Sequence, residues 1–149
     1  MTKEVLLSIT GLQFAPGQES DSLELITPGE HYFRNGKHYF LYDEVIEGFD
    51  QVTKNVIKIA PDYMELTKKG VTSAHMIFEK NKKNVTYYYT PYGSLLVGVD
   101  AHRVDVTEQE ETMRVEVEYG LEMNYEHIAD CHIKIIAAQR EDSQFRLLS

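Results

Sequence analysis

The sequence predicts an all-β fold, an antiparallel meander of about eight to ten strands closed into a barrel. Three observations carry this expectation. From Met113 to Tyr125, apolar or aromatic residues (Met113, Val115, Val117, Tyr119, Leu121, Met123, Tyr125) alternate with polar residues or glycine over thirteen positions. That is the period of a strand with one face on a core and the other in water. Turn-forming residues recur at near-regular spacing along the chain, and no window holds the i, i+3, i+4, i+7 pattern of an amphipathic helix. Closure follows from the edges: the outer strands of an open sheet carry unpaired backbone groups, and a barrel removes them. A two-sheet sandwich, the alternative, would be expected to show longer crossover connections.

Taken in order, Lys3 to Leu12 reads as a strand and Gln13 to Asp21, with Pro16 and Gly17, as a loop. Ser22 to Thr27 follows, and Pro28-Gly29 interrupts the chain. Next comes a hairpin of His31 to Phe33 and His38 to Tyr42, because Asn35-Gly36 tolerates the positive φ of a primed two-residue turn. Asp43 to Phe49 has room for one helical turn. Val52 to Ala60 and Tyr63 to Thr67 flank Pro61-Asp62 as another pair, which Lys69-Gly70 ends. Ser73 to Glu79, a basic turn through Asn81 to Asn84, and Val85 to Thr90 lead to the turn Thr90-Pro91-Tyr92-Gly93. Ser94 to Val106 alternates through Leu95, Val97, Val99 and Ala101, then changes phase to Val104 and Val106, which predicts a bulge near His102 and Arg103. Last, His127 to Gln139 sets Cys131, Ile133, Ile135 and Ala137 on one face and Asp130, His132 and Lys134 on the other.

A length of 149 residues fits one domain, 1–149. With 15 basic and 24 acidic residues the net charge is −9, a field that repels phosphate backbones and anionic lipid; no nucleic acid and no membrane partner is expected. The single cysteine, Cys131, excludes an intramolecular disulfide, and Met1 to Leu12 lacks the charge and apolar pattern of a signal peptide. A cytoplasmic location is the expectation.

Several strings, in order, carry a resemblance: Tyr42-Asp43-Glu44, Leu66-Thr67-Lys68-Lys69-Gly70, Met76-Ile77-Phe78-Glu79, Tyr88-Tyr89-Thr90-Pro91-Tyr92-Gly93, and Tyr119-Gly120-Leu121 with Asn124. Together they resemble the YwiB-like family of uncharacterised bacterial proteins. The resemblance implies a calycin-like (lipocalin-like) β-barrel and no particular reaction. The sequence departs from the family pattern at Ala101, where that pattern has threonine.

Ten tyrosines and no tryptophan make an uncommon aromatic set. Tyrosine suits a cavity wall because it offers apolar area with a polar tip, although it is also simply a good strand former. Tyr39, Tyr42, Phe78, Tyr87, Tyr89, Tyr92, Tyr119 and Met123 are the candidate ligand contacts, several of them pointing inward. Arg103 is expected in a surface salt bridge. His127, Asp130, Cys131 and His132 cluster in sequence, but in a regular strand His127 and His132 face opposite sides, so no metal is expected. Cys131 shares the parity of Ile133 and Ile135 and reads as a buried thiol. Glu116 and Glu118 lie on the water side as an acidic ladder, and Lys80, Lys82 and Lys83 form a basic tip. With no glycine-rich phosphate loop and no Gly-x-Ser-x-Gly elbow, neither a cofactor nor an enzyme activity is expected. Two readings follow: a barrel that binds a small, partly apolar or aromatic ligand in its interior or at its mouth, or a filled barrel that docks a protein partner or a second copy of itself as a homodimer.

Overall fold

The alternation seen in the sequence becomes ten strands in the computed structural model, which describes residues 3–11 and 24–139. The predicted loop of Gln13 to Asp21 lies outside the described residues. The strands are β1 (Lys3–Thr10), β2 (Glu24–Arg34), β3 (Lys37–Val45), β4 (Val52–Ala60), β5 (Tyr63–Lys69), β6 (Ala74–Glu79), β7 (Lys82–Thr90), β8 (Gly93–Glu108), β9 (Thr112–Met123) and β10 (Glu126–Gln139). Among the described residues there is no helix.

All pairings are antiparallel, in the order β6-β5-β4-β3-β2-β1-β10-β9-β8-β7. Each of these pairs joins strands consecutive in the chain, except that β10 closes back on β1. The barrel is therefore nearly complete, with its seam between β6 and β7. That seam is tied at one end by the tight turn at Lys80-Asn81. At the other, Ser73 and Tyr89 exchange two backbone hydrogen bonds of 3.0 and 2.8 Å.

Turn chemistry places the ends. Asn35 and Gly36 both have positive φ (53° and 76°), as a primed turn between β2 and β3 requires. The bulge in β8 falls between Ala101 and Arg103, as the phase change predicts.

Four expectations need correction. β2 runs straight through Pro28-Gly29. The β2–β3 ladder begins only at Glu30, so Pro28 lies where β2 is unpaired on that side and a missing N–H is tolerated. Gly29 is required because a Cβ there would lie 2.7 Å from Leu7 Cδ1 and 2.9 Å from the Leu41 carbonyl oxygen. Asp43 to Phe49 forms no helical turn: β3 continues to Val45, and the chain reverses with Phe49 N–H donating to the Ile46 carbonyl. The basic segment Lys82 to Asn84 is already strand. Tyr125 is not in β9, because Asn124 and Tyr125 both adopt positive φ and make the turn to β10.

Inward side chains fill the middle of the barrel. Leu7, Ile57, Ile59, Met64, Leu66, Met76, Phe78, Val115, Val117 and Ile133 are 0% exposed, so they border neither solvent nor a void the size of water. Phe78 and Tyr119 meet edge to face across this layer, ring centres 5.0 Å apart. Cys131 is buried among them.

Candidate functional site

The two ends of the barrel differ in chemistry. At one end, inward positions of β3, β4 and β5 carry polar groups instead of apolar ones: Glu44, Thr53, Asn55 and Lys68 continue the parity of Tyr42, Ile57 and Leu66. Lys68, 3% exposed, donates from Nζ to Glu44 Oε1 at 2.8 Å and to Asn55 Oδ1 at 2.9 Å. Thr53 Oγ1 accepts the Val71 N–H at 3.1 Å. Tyr42 and Tyr88 are buried beside this cluster; burial, then the Glu44 carboxylate, then each other's company pushes the Tyr42 phenol well above its usual range. Burial likewise raises Tyr88, against its hydrogen bond with Thr72. These groups satisfy one another and plug this mouth.

Among the described residues, the opposite end is open. A cleft of ≈ 630 Å³ lies between the tips of the β2–β3 and β4–β5 hairpins and the far half of β8. That half, beyond the bulge, pairs with β9 and has no β7 partner. Phe33 and Val106 supply its apolar lining over the buried Ile59 and Val104, and His38, Asp62, Arg103, Asp105, Glu108 and Glu116 its polar groups. Behind it, His31 Nε2 and His38 Nδ1 lie 2.9 Å apart, so one nitrogen holds a proton that the other accepts. His38 Nε2 is 3.7 Å from Glu108 Oε2. His31 stacks on Phe40 at 4.7 Å, and Phe33 meets His38 edge-on at 4.7 Å. Burial, followed by the nearby His38 and Lys3 charges, lowers the His31 pKa, with Glu108 opposing.

The residues singled out in the sequence scatter over this frame. Tyr42, Phe78 and Tyr119 point inward and are buried, Tyr42 in the polar plug and the other two in the central layer. Met123 packs against the core from the rim of the plugged end. Tyr39 faces out, stacked on Tyr32 at 4.8 Å with Lys58 Nζ 5.8 Å from its ring centre. Tyr87 and Tyr89 also face out, 53% and 54% exposed, while Tyr88 is the inward member of the triplet at 7%. Tyr92 sits on a turn, 91% exposed. None of the eight is among the residues lining the open cleft. Missed were Glu44, Lys68, His31, His38, Glu108 and Phe33. Parity could have found two of them, because Glu44 and His38 are on the face of Phe40 and Tyr42.

Arg103 does lie in a surface network, paired with Asp105, with Glu116 at 3.5 Å and with Glu118 at 3.6 Å. The acidic ladder is thus partly neutralised, and Lys83 Nζ engages Glu122 Oε2 at 2.7 Å. His127 and His132 share the outer face after all: a bulge between His127 and Ala129 pairs them with Glu122 and Glu118, both outward. Among the described residues, no group of three or more His, Cys, Asp or Glu is arranged to hold a metal ion. Nor is any helix there long and apolar enough to cross a membrane.

Comparison with known proteins extends the description. Residues 7–135 match the model of a "Domain of unknown function (DUF1934)". The crystal structure of ywiB protein from Bacillus subtilis shares the fold with a TM-score of 0.68 and 18% sequence identity, over 94% of this chain and 90% of that one. No curated protein matches.

Proposed function

The chain belongs to the DUF1934 family of domains of unknown function, and we propose that it is a binding module which holds a small, partly apolar ligand at the open mouth of its barrel. The observation that carries this reading is the cleft of ≈ 630 Å³, a volume within the range of small-molecule sites, about 300–1,000 Å³. The alternatives within the barrel are weaker. The centre is filled by side chains and the other mouth by the Lys68–Glu44 cluster. Binding, not turnover, is proposed because the hydrogen bond and ion pair of His38 go to His31 and Glu108, which provides no activated nucleophile.

A thermal-shift screen of the whole protein against aromatic and aliphatic metabolites tests the proposal, because a ligand that binds only the native state raises its melting point. Hits should shift the NMR methyl signals of Val104 and Val106, and Ala60→Trp, which puts an indole on the cleft wall, should abolish them. A screen whose hits leave those methyls unmoved would discard the mouth as the site.

A second reading has its own observation. Val85, Tyr87 and Tyr89 form an exposed outward row on β7, with the two tyrosine rings 6.1 Å apart. Such a row suits docking to a second copy, and sedimentation of wild type against the Tyr87→Ser/Tyr89→Ser double variant tests it: a dimer that persists in the variant rejects this face.

A further inference from the structure

We infer that the open cleft selects small organic cations, namely an ammonium group carried on an apolar and preferably aromatic body. This rests on the proposed reading of the cleft as a ligand site. Four carboxylates line it, Asp62, Asp105, Glu108 and Glu116, against one guanidinium, Arg103. The guanidinium is already engaged by Asp105, Glu116 and Glu118, so it has little to offer an incoming anion. Asp62 and Glu108, by contrast, have no lysine or arginine within ion-pair distance among the described residues. On the rim of a concave site Asp62 is therefore left without a counter-charge, and Glu108 has only His38, 3.7 Å away, which is charged only when protonated.

The histidines reinforce the selection. A hydrogen bond between His31 and His38 requires a bare nitrogen on one ring, so the pair cannot be doubly protonated while it is made. The pair therefore adds at most one positive charge, and the four carboxylates of the lining still outnumber it and Arg103 together. A net charge of −9 adds a long-range field of the same sign, which raises the local concentration of cations and speeds their arrival. The body of the ligand is set by the other wall. Val106 offers aliphatic surface above the buried Ile59 and Val104, and Phe33, half exposed, lies at the mouth, where a cation can rest on the aromatic face.

The test uses three probes of one shape on the full chain at low salt: phenethylamine, 2-phenylethanol and phenylacetate, read by calorimetry and by the methyl signals of Ile59, Val104 and Val106. The amine should bind at least about tenfold more tightly than the alcohol, and phenylacetate should bind more weakly still. Asp62→Asn and Glu108→Gln should each weaken the amine about two- to fivefold and leave the alcohol unchanged. Both side chains are exposed, and asparagine tolerates the positive φ of residue 62, so the variants should melt like wild type. Equal binding of alcohol and amine in the cleft, or preference for phenylacetate, overturns the cation inference while leaving a mouth-binding function intact. If no probe moves the cleft methyls, the cation inference falls, and the wider proposal then stands or falls on its own screen.

Discussion

Lys68 Nζ lies 2.8 Å from Glu44 Oε1 inside the barrel, although the two residues are 24 positions apart and β4 runs between their strands. Asn55 on that intervening strand completes the arrangement, accepting from Lys68 at 2.9 Å and donating to Glu44 at 3.4 Å. A pair removed from water gains little over apolar packing, but breaking it strands a charge. Glu44→Gln should therefore destabilise the protein by about 3 kcal/mol, measured by urea unfolding. The double variant Lys68→Met/Glu44→Gln should recover most of that loss. If Glu44→Gln alone costs under about 1 kcal/mol, the pair is solvated and does not plug the mouth.

Much of the architecture was legible in the sequence because half-buried strands write their parity into it. Met113 to Met123 alternates cleanly, and its odd-numbered residues face inward up to Leu121 as the pattern requires. The phase change pointed to a bulge near His102 and Arg103, and the register shift falls between Ala101 and Arg103. Parity failed where a strand has polar residues on both faces. Lys68 looked like part of a turn because Lys69-Gly70 follows it, and Asp43-Glu44 looked like the start of a helix, yet lysine and glutamate both face inward and pair with each other. Such pairing joins residues distant in sequence, which no local pattern records. In Tyr87-Tyr88-Tyr89 the alternation gives two faces without saying which is inside; in the structure it is Tyr88 that is buried, near Tyr42 and Glu44. The open mouth was illegible for a similar reason, because it is built from two hairpin tips and the unpaired half of β8.

The three consecutive tyrosines should respond oppositely to truncation. Tyr88→Ala removes a buried ring and should cost about 3 kcal/mol. Tyr87→Ala removes an exposed one and should change stability by about 0.5 kcal/mol or less. Chemical denaturation of the two variants side by side checks this, and equal losses would contradict the facing of β7.

Stability should decline in mild acid through His31. Its pKa is lowered in the folded protein by burial and by the neighbouring His38 and Lys3, so the unfolded chain binds the proton more readily. The contribution of the neutral ring is therefore complete above the unfolded value of about 6.5 and disappears as pH falls through the lower folded value. Melting points recorded from pH 7.5 down to 5 should fall more steeply for wild type than for His31→Asn. Parallel curves would mean that the His31–His38 contact does not resist protonation.

The filled centre makes a prediction that separates mouth binding from interior binding. Phe78 is fully buried and its ring meets Tyr119 at 5.0 Å, so Phe78→Ala should cost about 3–5 kcal/mol and leave an apolar cavity. Dry apolar cavities of this kind take up benzene. Saturating benzene should then raise the melting point of Phe78→Ala by several degrees while leaving that of the wild type unchanged, because in the latter the space is already occupied by the phenyl ring. A comparable rise in the wild type with the methyl signals of Val104 and Val106 unmoved would show that the interior admits ligands unaided, and the ligand-binding reading would have to move from the mouth to the barrel axis.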